Sequence, residues 1–218
     1  AYEMGASEVC LQGGIHPDYT GNFYLEMVTK IKEKLPNMHI HGFTPLEIWQ
    51  GAETIGKSVE EYLTLLRDAG LNTLPGTAAE ILDDRIREYL CPDKITSSQW
   101  GYVMEVAHSL GIKSTATIMF GHIDDVDSWV NHFSLIRRIQ KNTNGFTEIV
   151  PLPFVHMGSP IFLQGKSMTG PTWDEVVLMH SLARIYFNNS INNIQASWVK
   201  LGHDGAGKLL HAGVNDLG

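Results

Sequence analysis

The sequence predicts an α/β protein built as a TIM-type (β/α) barrel, and three observations lead there. Short strand-like segments alternate with helical ones along the chain, the signature of parallel βαβ units. Polar residues collect at the strand ends, at Gln12, His41, Glu80, His122, His156 and Lys200, where barrel enzymes place their chemistry. An open dinucleotide-type sheet would carry a GxGxxG turn after its first strand, and Gln12-Gly13-Gly14-Ile15-His16-Pro17 stands there instead.

Seven strands are expected: Glu8 to Gln12, Met38 to Phe43, Thr73 to Pro75, Ser114 to Phe120, Thr147 to Leu152, Asn193 to Trp198 and Ala212 to Asn215. Helix starts are marked by capping boxes, in which a hydroxyl and a carboxylate or amide three residues on satisfy each other's free amides. Four are read: Ser58 with Glu61, Thr77 with Glu80, Thr96 with Gln99, and Thr172 with Glu175. Gly70 and Gly111 mark helix ends. Tyr2 to Gly5 reads as the last turn of a helix, and Gly213 to Gly218 stops where a strand would be finishing. A single barrel domain over residues 1–218, truncated at both ends, is therefore expected. Met157 to Pro171 is a long loop containing Gly and Pro that could serve as a lid.

With 218 residues, 43% of them hydrophobic, the chain can bury a sizeable core. Its net charge of −8 and the lack of any run of five like charges show no basic footprint for nucleic acid or an anionic membrane. Ile149 to Phe154 is among the longest apolar runs, and two prolines interrupt it, whereas a membrane span needs roughly 20 apolar residues. No signal-like segment opens the chain, and only Cys10 and Cys91 occur, without a CxxC, so both are expected to be buried small hydrophobes. A cytoplasmic location follows as the expectation.

His39 and His41 lie two apart in a strand and share a face, the minimum a metal needs, and equally a place for imidazoles that hydrogen-bond inside a polar lumen. A zinc hydrolase would gather His39, His41, His122 and His156 with Asp216, but no HExxH helix accompanies them. Gly13 and Gly14 would let a backbone approach a ligand closely, or would form an ordinary tight turn. Glu80 would hold a ligand amine or ribose, or would only close the capping box with Thr77. Thr115, Thr117 and Met119 alternate with Ala116, Ile118 and Phe120, giving one hydroxyl-bearing strand face, and Gln195 and Ser197 repeat the pattern. Pro151 and Pro153 should end regular pairing after Val150, leaving Val150 to Phe154 as an irregular edge able to read an adenine.

Several segments together resemble one family: Cys10-Leu-Gln-Gly-Gly-Ile-His-Pro-Asp18, His39-Ile-His-Gly-Phe-Thr-Pro45, Pro75-Gly-Thr-Ala-Ala-Glu-Ile-Leu-Asp83, Thr115 to His122, and Gly145 to His156. Leu90 to Lys94, Ile194 to Gly202 and Gly213 to Gly218 look like it as well. That family is the 4-hydroxyphenyl transferase half of FO synthase, a radical S-adenosylmethionine (SAM) enzyme. The radical SAM enzymes of the futalosine route to menaquinone are the nearest alternative.

The resemblance implies a radical SAM barrel lacking here its first strand and its cluster loop, whose CxxxCxxC would precede Ala1 and hold a 4Fe-4S cluster. It implies that Gln12, Gly13, Gly14, Glu80, Val150, Pro151 and Phe154 bind SAM, and that Thr115, Thr117, Glu148, Gln195 and Ser197 bind substrate. It leaves His41, His122 and His156 as candidates for moving protons, with no metal held by the chain itself. The implied substrates are tyrosine and ribitylaminouracil. The implied chemistry is hydrogen abstraction from tyrosine, Cα–Cβ fragmentation, and addition of the hydroxybenzyl part to the uracil. A companion radical SAM half is the implied partner. On this reading the chain by itself is inactive, since the cluster cysteines lie outside it.

Overall fold

The structure, a computed structural model, describes residues 2–218. In chain order its elements are β1 (Glu8–Leu11), α1 (Gly21–Lys34), β2 (His39–Gly42), α2 (Pro45–Thr54), α3 (Val59–Ala69), β3 (Thr73–Leu74), α4 (Asp84–Leu90), α5 (Ser97–Ser109), β4 (Lys113–Phe120), α6 (Val126–Thr143), β5 (Phe146–Pro153), the one-turn α7 (Pro160–Leu163), α8 (Trp173–Tyr186), β6 (Asn193–Ile194) and α9 (Trp198–Leu209). The chain divides into two compact units, Ala1–Ala78 with Ser98–Ser114, and Ala79–Ser97 with Thr115–Gly218. Strand β4 begins in the first and continues in the second. Among the described residues no helix is long and apolar enough to cross a membrane.

In the first unit the strands follow the hydrogen-bonded order β1-β2-β3-β4, and each successive pair is parallel. Strand alternation separates two faces. Ile40 and Leu74, both fully buried, occupy one, with Val28, Tyr62, Leu63 and Leu66 completing the core. Burying each such side chain is worth roughly 1.5–3 kcal/mol. Glu8, Cys10, His39, His41 and Thr73 share the opposite face, which stays partly open to solvent. The helices cross tightly where Gly21 meets Gly51, since a Cβ on Gly21 would stand 2.4 Å from the Gly51 carbonyl oxygen. The Tyr62 hydroxyl closes that crossing by donating to Gly21 O at 2.9 Å.

In the second unit the order is β4-β5-β6, with β5 and β6 parallel. Ala116, Ile118 and Phe120 are buried on one face of β4, together with Ile136, Ile139, Met179 and Ala183 from the helices. Thr115 and Met119, on the other face, are half-buried.

The capping boxes expected at Ser58–Glu61 and Thr172–Glu175 are present, and Gly70 and Gly111 take the left-handed conformation expected of helix ends. Two boxes were not foreseen, Thr44 with Glu47 and Asp125 with Ser128, the second using a hydroxyl where the motif wants a carboxylate or amide. The Thr77–Glu80 box does not form. No helix starts there, because Ala78 and Glu80 both adopt positive φ (59° and 46°), and Glu80 turns to Lys94 instead.

Other corrections concern the strands. β6 stops at Ile194, with one further parallel bridge from Gln195 to Asp216, so no strand covers Ala212 to Asn215. Lys200 is an exposed residue of α9 and not a strand end. Pro151 and Pro153 do not end β5, which runs through Pro153 and is continued by Phe154 N donating to Phe120 O at 2.8 Å. Cys10 is exposed, since it lies on the polar face of β1, whereas Cys91 is buried as expected.

Candidate functional site

The polar strand faces and the turns that follow them hold the residues singled out in the sequence. In the first unit these are Gln12, Gly13, Gly14 and His41. The Gly13 amide donates to Glu47 Oε1 at 2.8 Å, and the other oxygen of the same carboxylate accepts from Thr44 N at 2.8 Å. Glu47 is fully buried, so one charged group caps α2 and pins the glycine turn. The Gly13 amide is thus already engaged within the turn. Gly14, at φ 67°, has open space where a Cβ would stand, and its carbonyl accepts from Tyr24 Oη at 3.3 Å. Gln12 accepts from Thr77 Oγ1 at 2.7 Å and donates to Cys10 Sγ at 3.3 Å. Beside this turn lies a cavity of about 340 Å³ lined by Cys10, Gln12, Gly13, Tyr19, Phe23 and Tyr24 among others.

His41 and His39 both reach the Thr73 hydroxyl, His41 Nδ1 at 2.7 Å and His39 Nε2 at 2.9 Å. Burial holds the His41 pKa below the ordinary value; His39 lowers it further and Glu8 opposes. Among the described residues no group of three His, Cys, Asp or Glu side chains is arranged to hold a metal. The zinc arrangement of His39, His41, His122 and His156 with Asp216 is therefore not seen among the described residues.

In the second unit His122 is fully buried with both ring nitrogens used inside its own turn. Nδ1 accepts from Ile123 N at 2.7 Å and Nε2 donates to Met119 O at 3.0 Å. The adjacent Asp124 carboxylate accepts from the amides of Gly121 and His122 and from Trp129 Nε1. His122 therefore organises the end of β4, with both ring nitrogens engaged there. His156 faces the loop that follows β5: its Nδ1 meets Thr169 O at 2.5 Å and its ring lies 4.5 Å from that of Phe162. That loop is also held by Met168 N donating to His122 O at 2.7 Å.

Glu80 forms an ion pair with Lys94, the side chains being 19% and 29% exposed, so a carboxylate and an ammonium stand together within reach of solvent. Its carbonyl accepts from Met119 N at 2.7 Å, which ties the left-handed turn to β4. Such a pair, an acceptor beside a donor, suits an ammonium or a ribose hydroxyl. Glu148 and Gln195 are brought together, Gln195 Nε2 donating to Glu148 Oε2 at 3.1 Å. Burial first, and the charge of Asp216 second, push the Glu148 pKa up to about 7, against the lowering effect of the Gln195 hydrogen bond. Thr117 is buried, Thr115 half-buried, and Ser197 half-buried as the N-cap residue of α9, where its side chain makes no cap hydrogen bond. Val150 follows Glu148 on the same face of β5 and Pro151 lies on the opposite one; both, with Phe154, are buried, and the strand is regular through Pro153, so the irregular edge foreseen after Val150 is not present.

Sequence reasoning passed over Thr73, Glu47, Lys94 and Asp124. Each acts through a partner, and for Thr73 the partners are 32 and 34 residues away, beyond any local motif. Lys94 had a signal, its place in the Leu90 to Lys94 segment, and so did Glu47, which completes a Thr-x-x-Glu capping motif with Thr44.

Comparison with known proteins finds several that the chain is similar to. Residues 143–218 match the family described as the CofH/MqnC C-terminal region. The whole chain is 49% identical to the 5-amino-6-(D-ribitylamino)uracil--L-tyrosine 4-hydroxyphenyl transferase of Methanopyrus kandleri, of which it covers 59%. It is 47% identical to the FO synthase of Streptomyces avermitilis, of which it covers 25%. Among solved structures, methylornithine synthase (PylB) aligns over 98% of this chain and 57% of its own, with a TM-score of 0.69 at 21% identity. The Elp3 of Methanocaldococcus infernus aligns over 90% of this chain and 49% of its own, with a TM-score of 0.55 at 14% identity. These two show the α/β fold with its parallel sheet. Over its full length the chain is similar to these 4-hydroxyphenyl transferases, of which it spans about three fifths, and to a quarter of FO synthase, and its residues 143–218 match the CofH/MqnC C-terminal region.

Proposed function

We propose that the protein carrying this chain is a radical SAM transferase that joins the 4-hydroxybenzyl part of tyrosine to 5-amino-6-(D-ribitylamino)uracil. The carrying observation is identity of 47–49% across the whole chain with proteins of that name and with FO synthase. The chain is read as one barrel domain of a cytoplasmic enzyme, with SAM and a 4Fe-4S cluster as cofactors and a companion radical SAM half as partner, since some relatives are about four times its length.

The residues present fit these cofactors unequally. Glu80 with Lys94 suits the polar groups of SAM, whereas Cys10 and Cys91 fall in different units and the described residues offer no set of cluster ligands. SAM, when bound, supplies the carbon-centred radical of this chemistry. The chain's own part is to bind and to move protons. Glu148, paired with Gln195 and titrating near neutrality, is read as the group that receives a polar group of the substrate, and Thr115, Thr117 and Ser197 as further hydroxyl contacts for it. His41 and His156 remain the imidazoles able to exchange a proton.

The test is anaerobic turnover by the complete gene product, reconstituted with iron and sulfide and given SAM, a reductant, tyrosine and the ribitylaminouracil. Mass spectrometry should find the coupled product together with 5′-deoxyadenosine. Release of 5′-deoxyadenosine with another substrate, and none with tyrosine, would overturn the reading.

A further inference from the structure

His39, Thr73 and His41 form a hydrogen-bonded chain across β2 and β3, with distances of 2.9 Å and 2.7 Å at the shared hydroxyl. A hydroxyl has one proton to give, so it cannot donate to both rings. When His41 Nδ1–H donates to Thr73 Oγ1, that hydroxyl donates to His39 Nε2; in the reverse state His39 Nε2–H donates and His41 Nδ1 accepts. The two tautomer pairs interconvert by shifting both protons together. The outer end is open, since the His39 side chain is 40% exposed, while its Nε2, the nitrogen facing Thr73, also lies 3.6 Å from Glu8 Oε2. The groups facing the chain on the neighbouring strands are Glu8 and Cys10 of β1, in register with His39 and His41, and Thr73 of β3.

We propose that His39, Thr73 and His41 are a proton relay: His41 Nε2 takes a proton from an N–H or O–H of the bound amino-acid substrate, and the chain releases one at His39 Nδ1. The balance closes within the three side chains. As Nε2 of His41 gains a proton, its Nδ1 proton passes to Thr73 Oγ1, the hydroxyl proton passes to His39 Nε2, and Nδ1 of His39 gives its proton to water. His41 is then left neutral as the Nε2–H tautomer, with no net charge stored. Glu8 favours the transient cation, and each ring disfavours a second charge on the other, so one extra proton is carried at a time. Thr73 and His39 are positioning residues and His41 the catalytic one; the substrate's identity rests on the transferase reading, and the relay itself does not.

Two measurements test it, on Thr73→Val, which keeps the shape and removes the hydroxyl, and on Thr73→Ser, which keeps the hydroxyl. In ¹⁵N NMR of the full chain, His41 Nδ1 and His39 Nε2 should show shifts averaged between protonated and unprotonated limits and moving in opposite senses. Thr73→Val should send each to one limit, and Thr73→Ser should not. In the complete gene product, Thr73→Val should lower turnover by about tenfold or more, within the 10²–10⁴ typical of general acid–base transfer, with the KM for tyrosine unchanged and recovery in Thr73→Ser. Wild-type rings already at fixed limits, or full turnover in Thr73→Val, would overturn the relay. Absence of product from the wild type would count against the transferase reading, and the NMR result would still judge the relay.

Discussion

Replacing Glu148 by Gln should stabilise the protein at alkaline pH and leave it unchanged in mild acid. The carboxyl is mostly buried beside Asp216, and its pKa rises from the model-peptide 4.5 to about 7. A carboxyl with a raised folded-state pKa contributes its full stability below 4.5, where it is neutral in both states, and loses it as the pH rises to about 7. At 1.36 kcal/mol per pH unit the ionised group costs about 3 kcal/mol above that range, and partial exposure reduces this to about 2–3 kcal/mol. Gln has nearly the same volume, can still accept from Gln195 Nε2, and carries no charge. Urea denaturation at pH 8 should therefore show Glu148→Gln more stable than wild type by about 2–3 kcal/mol, and at pH 4.5 the two curves should coincide. An equal effect at both pH values would mean that packing, and not ionisation, separates the variants. No effect at pH 8 would show that the carboxylate is not desolvated. If Glu148 also receives substrate, the same variant should lose turnover as it gains stability, the usual opposition at a functional site.

Other outcomes follow from the same structure. His108 and His132 are buried and their pKa values are lowered to about 4 and about 3, so stability is intact above 6.5 and falls as the pH drops below it. In the Glu148→Gln background, where no opposing gain masks the loss, going from pH 6.5 to 5 should cost about 2 kcal/mol for each histidine, read from denaturation midpoints; a flat profile would contradict it. Arg184 donates to Gly213 O, Asn192 O and Asn215 Oδ1, and Arg184→Ala should raise amide exchange at Val214 to Asp216 and cost about 2–4 kcal/mol; unchanged protection there would refute the clamp. In the complete gene product Glu80→Gln should weaken SAM binding by about one to two decades with little change in folding, and an unchanged titration would leave Glu80 as the partner of Lys94 alone.

Much was legible from local chemistry. Strand alternation, the caps at Ser58 and Thr172, and the left-handed glycines at 70 and 111 depend on residues within a few positions of each other, and their places were found. The parallel α/β class followed from the same short-range signals, and the shared face of His39 and His41 from the period of a strand. The tertiary structure decided which polar groups are already engaged. Glu80, held with Ala78 at positive φ, forms no capping box and pairs with Lys94; the Gly13 amide is taken by Glu47, 34 residues on; and His122 is sealed inside its own turn. Pro151 and Pro153 did not break β5, since what matters is whether the ladder needs the amide each proline lacks. A side chain's type and spacing set what it can bond to, but burial and the long-range partner set what it does bond to. For that reason Thr73, invisible in the sequence, joins two histidines that spacing alone had offered to a metal.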